Sequence, residues 1–316
     1  MKLHNNKEAF MQAIAATAAH FNIAAALVEK DYYVTLVLEK IKEYAPGLLF
    51  KGGTSLSKCH KIIDRFSEDI DLTLDENHFT EGQRKKLKYV IIDVCNELGL
   101  TLTNAEETRS RRAYNNYRIE YPINYSSSAV NSQLLVETVF IQKAYPYETK
   151  TANSLIGEWL LATNNKQAID KYELYSFEIR VQALERTLVD KVFAICDYIE
   201  RNVEFRQSRH IYDISRLLTK VELDDGLKEL IKEVRKDRKP NKTCVSAQDG
   251  VSVPELLQKV ITTQFFKKDY EDNTLRLLTK PVDYDEAIKS LEKIIESGVF
   301  ATDEEMGSRK KKDLEM

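Results

Sequence analysis

Two short runs hold the residues best suited to chemistry: Phe50-Lys51-Gly52-Gly53-Thr54-Ser55-Leu56-Ser57-Lys58 and Arg65-Phe66-Ser67-Glu68-Asp69-Ile70-Asp71-Leu72. The first reads as a strand, a tight glycine turn and a helix start. Glycines let the backbone approach a ligand closely, and the first N–H groups of a helix, helped by its dipole, attract an anion such as a triphosphate. In the second, Asp69 and Asp71 stand at i and i+2 of a strand-like run, so their carboxylates share one face. Two such acids repel each other unless a cation lies between them. Hard oxygen donors beside a phosphate site suit Mg²⁺ bridging substrate phosphates. Taken singly, a Gly-Gly-Thr turn is an ordinary turn and Asp-x-Asp an ordinary strand end or cap. The order strand, Gly-Gly-Thr, helix, Asp-x-Asp strand points to metal-dependent nucleotidyl transfer. A calcium loop over Asp69, Asp71 and Asp75 is excluded, because Leu74 stands where it needs glycine and Thr80 where it needs the closing glutamate.

A third acid is expected opposite the pair. In Leu134-Leu135-Val136-Glu137-Thr138-Val139-Phe140 the lone charge is Glu137, costly to bury unless a cation meets it. The alternative is an edge-strand glutamate facing water. Lys51 and Lys58 flank the glycine turn within reach of a phosphate, although Lys58 equally suits an exposed helix position. Arg65 suits either the substrate or the loop before Asp69. The five histidines lack metal-ligand spacing, and nothing marks a serine or cysteine nucleophile.

These residues need elements to hold them. Apolar periodicity predicts helices over Lys7 to Phe21, Ile23 to Tyr44 and Gln83 to Leu98, the last with Leu87, Val90, Ile91, Val94 and Leu98 on one face. Strands are predicted at Leu48 to Lys51, Ile70 to Leu74, Leu100 to Thr103, Tyr117 to Asn124 and Leu134 to Ile141, with a loop at Ser126 to Ser128. Beyond about Lys150 the pattern is mainly helical: Val181 to Glu200, His210 to Thr219, Asp225 to Arg235, Val253 to Phe266 and Tyr284 to Ser297. The reading is therefore an α/β (α+β) chain. A mixed-sheet domain over 1–150, led by two helices, precedes a mainly helical domain over 151–316, with the change somewhere in Tyr145 to Lys171.

With 316 residues, 43% hydrophobic and 31% charged, the chain can bury a substantial core. The apolar stretch from Ile23 to Val37 is broken by Glu29, Lys30 and Asp31, so no membrane span is expected. Four scattered cysteines argue against a zinc site and a disulfide framework, and point to a reducing cytoplasm. A net charge of −3 leaves nucleic-acid binding to local patches. The candidates are Arg109 to Arg118, which interleaves arginines with tyrosines able to stack on bases, and Arg235 to Lys242; either is otherwise a solvated loop, the reading favoured for the second, and Ser308 to Lys312 reads as a tail.

At the two opening runs the chain resembles the AbiEii/AbiGii-type toxins, a branch of the DNA-polymerase-beta-like nucleotidyltransferases. The spacer from Thr54 to Asp69 has the longer form of that branch. A second match joins Ala183-Leu184-Glu185-Arg186-Thr187-Leu188-Val189-Asp190-Lys191 to Arg209-His210-Ile211-Tyr212-Asp213-Ile214, similar to helical motifs carrying a lysine and then an Arg-Asp-x-x-Asp-like element. Here His210 replaces the aspartate after the arginine. The resemblance covers roughly residues 20 to 220. It implies a polymerase-beta-like mixed-sheet core with phosphates at Gly52, Gly53, Thr54 and Ser55, beside which Lys51, Lys58 and Arg65 are the candidate side-chain contacts. Two Mg²⁺ ions would sit on Asp69, Asp71 and Glu137, with Lys191 and Asp213 in the catalytic set. Read without it, Lys191 has partners in Asp190 or Glu185, and Asp213 is a surface helix residue or a partner for Arg209. The resemblance further implies an NTP-using toxin of a toxin–antitoxin or abortive-infection pair, with a tRNA end as acceptor and a cognate antitoxin as partner. A protein acceptor, or a non-catalytic module binding RNA or a partner, are the alternatives.

Overall fold

The computed structural model describes residues 1–109, 112–127 and 131–302. Ser110 and Arg111 of the basic-aromatic run, Ser128 of the expected loop and the basic tail at 308–312 lie outside the described residues. Contacts divide the chain into one unit of 1–61 with 66–182 and a second of 62–65 with 183–316. The division falls after Gln182, later than the expected 145–171, and it assigns 62–65 to the second unit.

In the first unit, α1 (Lys7–Phe21) starts where the Asn6 side chain accepts the Ala9 N–H, and ends on Asn22 in the left-handed conformation. Then come α2 (Ala25–Tyr44), β1 (Leu48–Lys51), α3 (Gly52–Lys58), β2 (Ile70–Leu74), α4 (Glu81–Glu97), β3 (Thr101–Leu102), β4 (Tyr114–Glu120) and β5 (Gln133–Val139). β6 (Tyr147–Ala152), α5 (Leu155–Ala162), α6 (Lys166–Tyr172) and β7 (Phe177–Gln182) complete it. Of these, β6, α5 and α6 fall where the expected change of domain lies, and β7 follows just after it.

The seven strands form one mixed sheet in the order β3-β4-β5-β2-β1-β7-β6. β2 runs parallel to β5 and β1 parallel to β7, and the other neighbours are antiparallel. On β5 burial alternates: Leu134, Val136 and Thr138 go into the core while Leu135, Glu137 and Val139 lie on the other face. The core joins Ile70, Leu72, Ile119, Leu134 and Val136 to Tyr33 and Val37 of α2 and Ile91 and Val94 of α4. Each such side chain contributes about 1.5–3 kcal/mol on burial.

The second unit contains α7 (Leu184–Glu200), α8 (Arg209–Leu217), α9 (Asp225–Arg238), α10 (Val253–Thr263), α11 (Lys267–Asp269), α12 (Tyr284–Ala287) and α13 (Lys289–Ser297). Asp224 and Ser252 cap α9 and α10. α7 packs on α8 and α10, and α10 on α13, around Leu188, Phe193, Ile211, Leu257 and Leu291. The single helix expected over Tyr284 to Ser297 is broken at Ile288. The segment 62–65 is built in: Arg65 bridges antiparallel to Leu278, Thr279 N donates to Asp64 O at 2.8 Å, and Asp64 N donates to the Tyr212 hydroxyl at 2.8 Å. Among the described residues no single helix is long and apolar enough to cross a membrane.

Candidate active site

Sheet register draws the chemistry of the first unit into a line. Lys51 ends β1 opposite Asp71 of β2, Asp71 lies opposite Glu137 of β5, and Glu137 opposite Asn116 of β4. Four polar residues on four neighbouring strands thus stand side by side, each of them half-buried. Asp69 lies two residues before Asp71, just ahead of β2.

The glycine turn meets this row directly. Gly52 has a φ of +76°, and a Cβ there would overlap Oδ2 of Asp71. The missing side chain is therefore space that the Asp71 carboxylate uses, a stronger reason for glycine than the turn alone. Lys51, in the cap position of α3, supplies no side-chain cap to that helix. The hydroxyls of the turn face inward. Thr54 Oγ1 donates to Ser67 Oγ at 3.0 Å, and Ser55 Oγ donates to the Gly52 carbonyl at 2.9 Å. Any phosphate on this turn therefore meets backbone and not these hydroxyls. Thr54 also ties the turn to the stretch just before Asp69.

Glu137 Oε1 accepts from the Tyr114 hydroxyl at 2.9 Å and from Asn116 Nδ2 at 3.0 Å. Burial, and then the neighbouring Glu137 carboxylate, push the Tyr114 phenol up to about 12, so it remains a donor. The sequence places Tyr114 only in the basic-aromatic run, and the β4–β5 register is what turns it to the acid. Beside it a cavity of about 490 Å³ is lined by Asn104, Arg112, Tyr114, Asn116, Arg118 and Gln133. Arg118 pairs there with Glu107.

Among the described residues no three His, Cys, Asp or Glu side chains are grouped to hold a metal. The pair does suit a hard cation. Asp71 and Glu137 are register partners with oxygen donors, and Mg²⁺ takes one or two carboxylates and fills its remaining positions from water and substrate phosphate. Asp71 and Glu137 thus meet through the sheet register, with Asp69 two residues ahead of Asp71, and the described residues hold no preassembled three-acid cage.

Lys58 has a different employment from phosphate. It is buried, and its ammonium donates to Asp31 Oδ1 at 2.6 Å, Thr35 Oγ1 at 2.8 Å and the Asn153 carbonyl at 3.0 Å. All three of its donors are used.

Arg65, Lys191 and Asp213 meet in the second unit. Arg65 donates Nε to Asp213 Oδ1 at 2.6 Å and Nη2 to Oδ2 at 2.7 Å, and Lys191 Nζ donates to Oδ2 at 2.7 Å. Asp213 is fully buried. Burial opposes its charge, but Arg65 and Lys191 outweigh that and hold the carboxyl well below the usual range. So the partner of Lys191 is neither Asp190 nor Glu185, and that of Asp213 is not Arg209. Asp190 pairs with Arg186 and Arg238. His210, where the motif has an acid, is kept neutral by burial and then by Lys191 and Arg209. The second basic run is no loop at its start: Arg238 ends α9 buried against Asp197 at 2.7 Å.

A family model described as "Nucleotidyl transferase AbiEii toxin, Type IV TA system" matches residues 36–297, which take in the glycine turn, the acidic row and the Arg65–Asp213–Lys191 cluster. No curated protein matches the chain.

Proposed function

This chain belongs to the nucleotidyl transferase AbiEii toxin family of type IV toxin–antitoxin systems, and from that premise we propose a specific reaction for the acidic row. An NTP lies with its phosphates against the backbone of Gly52 to Ser55 at the start of α3. Asp71 and Glu137, with Asp69, are the residues that would hold Mg²⁺, which supplies charge neutralisation at the phosphates and lowers the pKa of an attacking hydroxyl. The acceptor hydroxyl attacks the α-phosphorus, the bond from that phosphorus to the bridging oxygen breaks, and pyrophosphate leaves. Lys51, at the end of β1, lends positive charge beside the phosphates. Tyr114 and Asn116 orient Glu137.

The observation that carries this reading is the register row Lys51–Asp71–Glu137 set against a glycine whose missing Cβ makes room for the Asp71 carboxylate. The sheet with its glycine turn and acidic strand is read as a polymerase-beta-like core. The acceptor is read as RNA, a tRNA end, with modification arresting growth in the cytoplasm until a cognate antitoxin relieves it. Arg65, Lys191 and Asp213 hold segment 62–65 in the second unit.

Incubation of the protein with each α-labelled NTP and Mg²⁺, with and without total tRNA, tests this beside Asp69→Asn and Asp71→Asn. Label is expected in RNA with the unmodified protein alone. Label that survives ribonuclease and travels with protein would replace the acceptor, and undiminished transfer by both variants would remove the metal assignment.

A further inference from the structure

Near its start α2 carries three consecutive charges, Glu29, Lys30 and Asp31, into the interior, with Glu29 and Lys30 both 0% exposed. Buried charges stabilise a fold poorly compared with apolar residues of similar size, so their value lies in what they hold in place. Glu29 accepts the N–H groups of Asn124 and Tyr125. Asp31 accepts from Lys58, at the end of α3, and from the Leu155 N–H that opens α5.

Lys30 has the most telling set. Its ammonium meets Glu68 Oε2 at 2.7 Å and donates to the carbonyls of Asn131 and Gln133 at 2.8 Å each. Three donors thus serve three acceptors. Glu68 directly precedes Asp69, and Gln133 opens β5 four residues ahead of Glu137. Because β2 and β5 run parallel, both strands begin at the same end of the sheet, and one buried ammonium grips the start of each. A slip of one residue in a strand turns every side chain to the opposite face. Asp71 would then no longer stand beside Glu137.

We propose that Lys30 is a positioning residue for nucleotidyl transfer: by clamping the starts of β2 and β5 through Glu68 and the two carbonyls, it fixes the register that sets Asp69 and Asp71 beside Glu137. This rests on the reading that those acids hold the metal.

The test uses Mn²⁺ as probe, with binding to the full chain followed by electron paramagnetic resonance, beside kcat at saturating Mg²⁺. Removing a positive charge near a cation site tightens binding if only charge matters. Loss of positioning weakens it. Lys30→Met is therefore expected to bind Mn²⁺ about 10-fold more weakly and to lose about 10–100-fold in kcat, the range for groups that orient metal ligands. Binding as tight as the parent's or tighter, with kcat retained, overturns the proposal. If Lys30→Met does not fold, Glu68→Gln carries the test, since it spares both carbonyl bonds. Its rate is expected to stay low at saturating Mg²⁺, whereas full recovery there would mean that Glu68 acts by charge alone and would overturn the clamp. Asp71→Asn is the control: if it leaves Mn²⁺ binding unchanged, the metal reading fails rather than the positioning of the acids.

Discussion

Asp71 and Asp213 are both aspartates of the kind that sequence motifs assign to a catalytic centre, and the protein treats them in opposite ways. Asp213 is fully buried and answered by Arg65 and Lys191, so its charge is neutralised within the fold. Asp71 lies on the half-buried face of the sheet between a lysine and a second carboxylate, with a glycine opposite it that leaves its Oδ2 room. A buried acid answered by two cations holds structure together. An acid placed beside another acid repels it, and the proposed Mg²⁺ is what would relieve that repulsion.

The sharpest way to break this contrast is to neutralise each aspartate in turn. Asp71→Asn is expected to lower transfer by roughly 10³-fold, the scale of a lost preorganised charge contact, with an unfolding midpoint close to the parent's. Asp213→Asn should instead destabilise by about 3–5 kcal/mol in urea unfolding, because Arg65 and Lys191 remain buried with their partner weakened. Parent-like stability with lost activity in Asp213→Asn would erase the distinction. Next in size, Gly52→Ala places a methyl where the Asp71 carboxylate lies, on a backbone of positive φ, and a loss of about 100-fold in kcat is expected. The same contrast has a pH signature. The Asp213 carboxyl sits below its unfolded value of about 3.9, so its stabilisation is complete above that pH and fades as the pH falls toward the folded value. The stability gap between parent and Asp213→Asn should therefore narrow in urea titrations below about pH 4. Smallest of all, Tyr114→Phe removes one donor from Glu137 and should cost roughly fivefold in kcat, with Asn116 still in place.

The elements around the glycine turn can be read from the chain because they are local. The glycine turn, β1 and β2 are each set by a few adjacent residues, and the observed bounds of both strands match the expected ones. Glu137 was visible as a lone charge in an apolar strand. The rest depends on distant partners. Glu29, Lys30 and Asp31 read as an interruption of an apolar helix because their partners, backbone groups and side chains at 58, 68, 124–125, 131–133 and 155, lie far along the chain. Lys58 misled for the same reason. β6, with the sequence Tyr-Glu-Thr-Lys-Thr-Ala, lies at the sheet edge with little burial, so it has no apolar alternation to betray it. Read without the family match, Asp213 suits a surface helix position or a pairing with Arg209, but the partner is Arg65, brought in by the short segment that the second unit absorbs.

That absorbed segment has a practical consequence for dissecting the protein. Cutting the chain after Gln182 would leave Ile62 to Arg65 covalently attached to the N-terminal fragment and their burial site on the C-terminal one. The C-terminal fragment would keep Asp213 and Lys191 but lose Arg65, and the Tyr212 hydroxyl and the Thr279 amide would lose Asp64. The N-terminal fragment would expose two isoleucines and an arginine that the intact chain buries. The two pieces are thus poor candidates for independent expression, and good ones for reassembly from a split pair, with four residues acting as the plug.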